Sequence, residues 1–308
     1  MSTLSDDVVE KTAPMAPIPV EEGKPASNRQ PRSRRTGKRI RAGVLYAVLV
    51  LMLAVVMIPF LWMVSASLKP NSEVFAVPVR WIPQDIQWSN YADIWSRVPM
   101  FGYILNTTYL AVFITALQVL TGSFAAYGFA KIRFKGRDAL FLAYIGTIAI
   151  PWQSYMVPQY IMMQKIGLTN TFWSLILLQA FSAFGVFLMR QYYLTIPDEL
   201  VEAARIDGLN DYGIWARIML PLSKPALASL ALLTFVNTWN DYMGPFIYLS
   251  SNRLWTIQLG LQSFIGQYDA EYGLIMTGSV ISIIPILIIF LFGQRYFIQG
   301  IATSGMKG

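Results

Sequence analysis

The sequence predicts an all-α protein that crosses a membrane six times, and three observations lead there. Hydrophobic residues fill 55% of the 308 positions and charged residues only 13%, where a typical soluble domain carries about 25% charged residues. Six segments reach the roughly 20 apolar residues that a spanning helix needs: 42–67, 101–130, 139–164, 166–189, 225–252 and 272–294. Six crossings also sort the basic residues, with 19 of the 24 on the side that holds both termini. Cytoplasmic segments carry such an excess of Lys and Arg, so both termini are expected to be cytoplasmic.

Each element follows from its composition. Residues 1–41 hold five prolines, early acidic residues and then seven arginines and lysines from Arg29 to Arg41. They cannot bury a core and are expected to form a disordered basic tail. A polybasic segment of this kind can attract anionic lipid. The first apolar run follows at 42–67. A signal peptide is the rival reading, with Val64-Ser65-Ala66 as a cleavage site, but a signal core is roughly 7–15 residues and this run is 26. A spanning helix is therefore expected.

Next comes a long external loop, 68–100, with Trp81, Trp88, Tyr91 and Trp95. Such aromatics suit the membrane interface or a surface that meets an external partner. The third segment contains Pro151-Trp152-Gln153 and Pro158-Gln159. Prolines within spanning helices are tolerated where neighbours re-satisfy the backbone, so a kinked helix is expected, lining a cavity or only packing. Lys165 alone separates the third and fourth segments, which places their turn near 167–170 and makes them an antiparallel hairpin.

The loop at 190–224 is the longest on the basic side, and it reads as two short helices. Pro197 suits a first helical turn. Asp198 and Glu199 follow, where negative charge meets the positive end of the helix dipole. Gly208 is placed to stop that helix in a left-handed cap, and Asn210 to cap the next. Ala203 and Ala204 would let another surface approach closely, with Glu202, Arg205 and Asp207 orienting it by charge. An amphipathic hairpin resting on lipid headgroups is the other reading of the same residues.

In the fifth segment Asp241 is the one charge. An Asp at a helix centre costs roughly 2.5–3.5 kcal/mol on insertion scales, so it should face protein, water or a pore. Asn237, Asn240 and Asp241 could bind hydroxyls, and Trp239 and Tyr242 could stack on sugar rings; Gln153 joins them as a candidate pathway residue. Packing among neighbouring helices is the alternative. Gly244 and Pro245 favour a break just beyond.

Several functions are excluded. With no His and no Cys, disulfides, thiolate nucleophiles, imidazole bases and His/Cys metal sites are out. An intramembrane hydrolase or glycosyltransferase lacks its usual base and nucleophile, and no metal site is expected. No G-x-x-x-x-G-K-[ST] phosphate loop is present, so the chain should not hydrolyse ATP itself. The net charge of +7 lies at loop ends beside apolar runs, which suits a membrane protein and not a nucleic-acid partner. An ion-gradient-driven secondary transporter remains the alternative class, although no repeat links the two halves as such folds often require.

One stretch narrows the choice. Glu202-Ala203-Ala204, Gly208 and Ile218-x-Leu220-Pro221 stand at the spacing of the EAA signature and resemble that of binding-protein-dependent ABC importer permeases. Phe187-Leu188-Met189-Arg190-Gln191, Asn237-Thr238-Trp239-Asn240-Asp241 and the ending from Gln294 to Gly308 are similar to MalG-type subunits of carbohydrate importers. The resemblance covers about 42–308 and implies the type I importer permease fold in a bacterial inner membrane. It makes Glu202 and Gly208 coupling-helix positions, with Ala203, Ala204, Leu220 and Pro221 as their framework. The implied partners are a second permease, two ATPase subunits that hold ATP and Mg, and an extracytoplasmic sugar-binding protein. No cofactor is expected on this chain.

Overall fold

The computed structural model describes residues 32–265 and 270–305, with side chains over 41–265 and 270–294. Among the described residues it is helical, with a single isolated bridge between Ile265 and Ala270. The chain divides into two units, 1–57 and 58–308. The first helix, α1 (Arg32–Ser67), begins ahead of the apolar run, within the stretch expected to be a disordered tail; residues 1–31 lie outside the described residues. Over 41–57 its side chains are exposed throughout, as a helix hydrophobic all round requires when lipid is its solvent.

In the second unit, α2 (Ser89–Arg97) lies within the segment 68–100. Lys69 is fully buried there: its Nζ donates to the Arg80 carbonyl at 2.5 Å and sits 4.2 Å from the Trp62 ring centroid. Burial pushes the Lys69 ammonium below the usual lysine range, and Glu73 opposes that. Trp81, Trp88 and Trp95 of the same segment remain exposed.

The central helix is α3 (Met100–Lys131), which packs on α7 (Ala183–Tyr193) and α10 (Lys224–Trp239); α10 packs in turn on α12 (Tyr272–Gly305). Small residues set the α3–α7 approach: a Cβ on Gly122 would stand 3.5 Å from the Gly185 carbonyl carbon. Close backbone approach of this kind is how helices associate where no hydrophobic drive separates lipid from protein.

Among the described residues four helices are long and apolar enough to cross a membrane, at Arg41–Ser67, Met100–Lys131, Phe172–Tyr193 and Tyr272–Gln294. Asp211–Leu222 and Lys224–Trp239 together, bent by 82° at their junction, make a fifth if the pair is taken as one span. The third expected segment is helical but broken. It runs as α4 (Arg137–Gly146) and α5 (Met156–Lys165), joined by two single turns of 3-10 helix on either side of Ile150-Pro151. Pro151 lacks the N–H that would continue the ladder, and its ring drives Ile150 to extended backbone, with ψ 111°. The fourth is α6 (Phe172–Gln179) followed by α7, and the turn before it has left-handed Gly167 and Asn170 at φ 72° and 56°.

The fifth segment, expected to break at Gly244-Pro245, already stops at Trp239 and resumes as α11 (Met243–Tyr248), which contains both residues. The cause is local competition for the backbone. Asn240 Nδ2 donates back to the Val236 carbonyl at 2.9 Å, and Asp241 Oδ1 accepts from the Gly244 N–H at 3.0 Å.

Candidate functional site

The loop at 190–224 is built from α8 (Asp198–Ile206) and α9 (Asp211–Ile214), then five π-helical residues, Trp215–Met219. Gly208 ends α8 at φ 85°. The N–H of Leu209 donates to the Ala204 carbonyl and that of Gly208 to Arg205, both at 3.0 Å. These are the two hydrogen bonds of a Schellman cap, which needs a left-handed residue at Gly208. A Cβ at Gly208 would meet nothing within 4 Å, so the requirement for glycine is conformational. Asn210 then caps α9, its Oδ1 accepting from the Gly213 N–H at 2.8 Å.

The two faces of α8 differ. Val201 and Ala204 are buried in one apolar cluster with Tyr127 of α3, Met189 and Tyr193 of α7, and Leu230 of α10. Glu202, Ala203 and Asp207 face solvent, and Ile206 is 86% exposed. Ala204 is therefore not part of an open small-residue face: it is the residue that seats α8 on the spanning helices. Leu220 is half-buried and Pro221 exposed at the bend that leads into α10.

Three polar links fasten this loop. Lys131, at the last position of α3, donates to the Ile196 carbonyl at 2.6 Å and to Asp198 Oδ1 at 2.5 Å. Its side chain is 3% exposed while that of Asp198 is 61% exposed. Asp211 Oδ1 accepts from Arg205 at 3.0 Å and from the Tyr127 hydroxyl at 2.9 Å. Arg190 reaches Asp138 at 3.1 Å and the Phe129 carbonyl at 3.2 Å, with its guanidinium 4.1 Å from the Phe141 centroid. The hydrogen bond from Lys131 holds Asp198 below the usual carboxylate range against desolvation. Arg205 first, then Tyr127, does the same for Asp211.

A second constellation lies within the helices. A cavity of about 280 Å³ is lined by Gln118 of α3, Trp152, Tyr155 and Gln159 of the broken segment, Gln179 of α6 and Asp241. Asp241 sits in the break between α10 and α11, with Gln179 Nε2 donating to its Oδ2 at 3.0 Å. The remaining candidates do not converge on this cavity. Trp239 is 1% exposed, stacks on Phe235 and donates to the Ser282 carbonyl at 3.1 Å. Its ring has no free face for a sugar, because the turn of α10 that exposes Asn237 and Asn240 points Trp239 into the core. Asn237, Asn240 and Gln153 are exposed but do not line the cavity, and Tyr242 stacks on Phe246. Gln118 and Gln179 carry one weak sequence signal, a carboxamide well inside an apolar segment. Lys131 carries none beyond its place at a span end.

The family model described as "binding-protein-dependent transport system inner membrane component" matches residues 32–303. The arabinooligosaccharide transport permease AraQ of Halalkalibacterium halodurans is 36% identical over 253 residues, covering 81% of this chain and 91% of its own length. The lactose transport permease LacG of Rhizobium radiobacter is 32% identical, covering 87% and 97%. Among solved structures, a chain of a bacterial ABC transporter that imports the acidic polysaccharide alginate superposes with a TM-score of 0.73 at 25% identity, over 89% of this chain and 100% of that one.

Proposed function

The chain belongs to the inner-membrane components of binding-protein-dependent transport systems, and on that premise we propose that it moves a sugar or oligosaccharide inward, driven by ATP hydrolysis on separate subunits. The observation that carries this reading is the seating of α8. One face is buried among α3, α7 and α10, and the other presents Glu202, Ala203 and Ile206 to solvent. A helix anchored on one side and open on the other can link a partner on its exposed face to α3, α7 and α10 on its buried one.

In this reading the basic side is cytoplasmic, in keeping with the distribution of Lys and Arg. Two ATPase subunits, which bind ATP and Mg, meet this chain and a second permease through such helices. When the ATPase surface moves, α8 moves with it. Lys131, Tyr127 and the apolar cluster pass that displacement to α3, while the bend at 219–224 passes it to α10. The cavity between the helices is then exposed to opposite sides in turn, and an external binding protein delivers the cargo. A carbohydrate cargo is supported by the relatives, whose names specify arabinooligosaccharides, lactose, and melibiose, raffinose and stachyose.

The test is ATP hydrolysis and uptake by the complex that co-purifies with this chain, reconstituted in vesicles with its binding protein. Labelled lactose, arabinotriose, raffinose and digalacturonate form the panel. Binding protein plus one of these sugars is expected to stimulate hydrolysis and drive import. A chain that purifies without an ATPase, or import driven by an ion gradient alone, contradicts the proposal.

A further inference from the structure

The cavity at Asp241 has a feature that packing alone does not require: its hydrogen-bond directions are fixed and incomplete. Thr234 donates to Gln118 Oε1 at 3.1 Å, so Gln118 must turn its Nε2 to the Gln179 carbonyl, at 2.7 Å. Gln179 turns its own Nε2 to the Asp241 carboxylate, which accepts only. The Trp152 indole N–H is a donor only, and it points at Gln159 Oε1 at 2.9 Å; Tyr248 lies 3.2 Å from the same oxygen. None of these amides can flip without breaking its chain of bonds.

Two groups are left over. Gln159 Nε2, with two N–H donors, and Gln179 Oε1, an acceptor, have no partner among the described residues. Both residues line the cavity, together with the Asp241 carboxylate and the rings of Trp152 and Tyr155. Planar amides held in one orientation, a carboxylate and aromatic walls meet the chemistry of a sugar ring. Hydroxyls donate and accept at once, and the C–H faces are apolar. The volume of about 280 Å³ lies just below the range of pockets for drug-sized ligands, roughly 300–1,000 Å³, which fits one ring and not a chain. The fixed carboxylate disfavours an anionic ring, since a like charge there finds no basic side chain on the cavity wall.

Resting on the carbohydrate reading above, we infer that this subunit itself holds one uncharged pyranose or furanose unit of the cargo during passage, with Gln159 as hydroxyl donor and Asp241 as the group that discriminates against acidic sugars. Gln159→Glu keeps the oxygen that accepts from Trp152, exchanges the free Nε2 donor for an acceptor and adds a second negative charge to the cavity that holds Asp241, whereas Gln159→Ala removes the donor without adding charge.

The experiment reads sugar imported per ATP hydrolysed in the reconstituted complex, for wild type, Gln159→Glu and Gln159→Ala. The expected result is a fall of about tenfold in that ratio for both variants, the scale of one lost hydrogen bond, with stimulated hydrolysis retained. A wild-type ratio in Gln159→Glu overturns the subsite and leaves the importer reading intact. Import of no neutral sugar by the wild-type complex overturns the carbohydrate reading and the subsite with it.

A second arm does not depend on turnover. The chain has no cysteine, so Gln159→Cys gives it one thiol, followed on this chain by mass. A cationic methanethiosulfonate is expected to modify it faster than an anionic one by a larger factor than a free thiol shows, and Asp241→Asn is expected to lower that ratio several-fold. A thiol that does not react, or a ratio unchanged by Asp241→Asn, overturns the role given to the cavity.

Discussion

Replacing Gly208 with proline is expected to abolish sugar uptake while the chain still inserts in the membrane and still co-purifies with its partners. The native residue has φ 85° and proline is held near −65°. The substitution also deletes the N–H that donates to the Arg205 carbonyl at 3.0 Å. Together these cost ~3 kcal/mol or more, enough to depopulate the native loop about a hundredfold. The damage stays local because a Cβ at this position meets no neighbour. Stimulated hydrolysis should then proceed without import, the signature of a coupling element whose aim is lost. A graded control is available: Gly208→Ala strains the same angle by roughly 1–2 kcal/mol, and Gly208→Asn, which tolerates the left-handed region, should be milder. Normal uptake by Gly208→Pro would remove α8 from the coupling role.

The second large effect is asymmetric. Lys131 is buried and Asp198 is largely exposed, so the two ends of one ion pair should respond differently to removal. Asp198→Ala leaves a buried ammonium with only the Ile196 carbonyl as partner. One-sided removal of a buried pair costs ~3 kcal/mol at the low end, which applies here because the carboxylate itself is hydrated. Lys131→Met removes the buried charge, keeps the aliphatic stem in its place and returns Asp198 to water, so it should cost less. The expected readings are a loop cleaved by protease much faster in Asp198→Ala than in Lys131→Met, and uptake reduced in the same order. Equal sensitivity of the two variants would show that the link between α3 and α8 rests on the apolar cluster alone.

How much of this is legible in the sequence depends on the range of the interactions. Gly208 and Asn210 are readable because caps are local: a left-handed stop and an N-cap each involve a few adjacent residues, and both take the geometry their residue types predict. The break in the third segment is readable at Pro151 for the same reason. The family is readable because the motif around Glu202 and Gly208 sits at fixed spacing in one loop.

What is not readable is rotation and tertiary pairing. One helical residue turns the side chain by about 100°, and that decides that Ala204 is buried while Ala203 is exposed, and that Trp239 enters the core while Asn240 does not. The partners of Lys131 lie 65 and 67 positions along the chain, and no local pattern marks them. The cavity is assembled from four separated segments, and its amides become informative only when the direction of every hydrogen bond is known.

The most direct test of the central claim, that the exposed face of α8 is the seat of an ATPase subunit, uses the absence of cysteine from this chain. A single Ala203→Cys variant is placed in the assembled complex, treated with a short thiol-to-amine cross-linker, and the product is identified by mass. The account predicts one cross-linked product, this chain joined to the ATPase polypeptide, with protection of the thiol from a small water-soluble reagent that depends on nucleotide. A thiol that reacts freely in the intact complex and never joins the ATPase would contradict it, and would leave α8 as a helix that only packs against its own membrane domain.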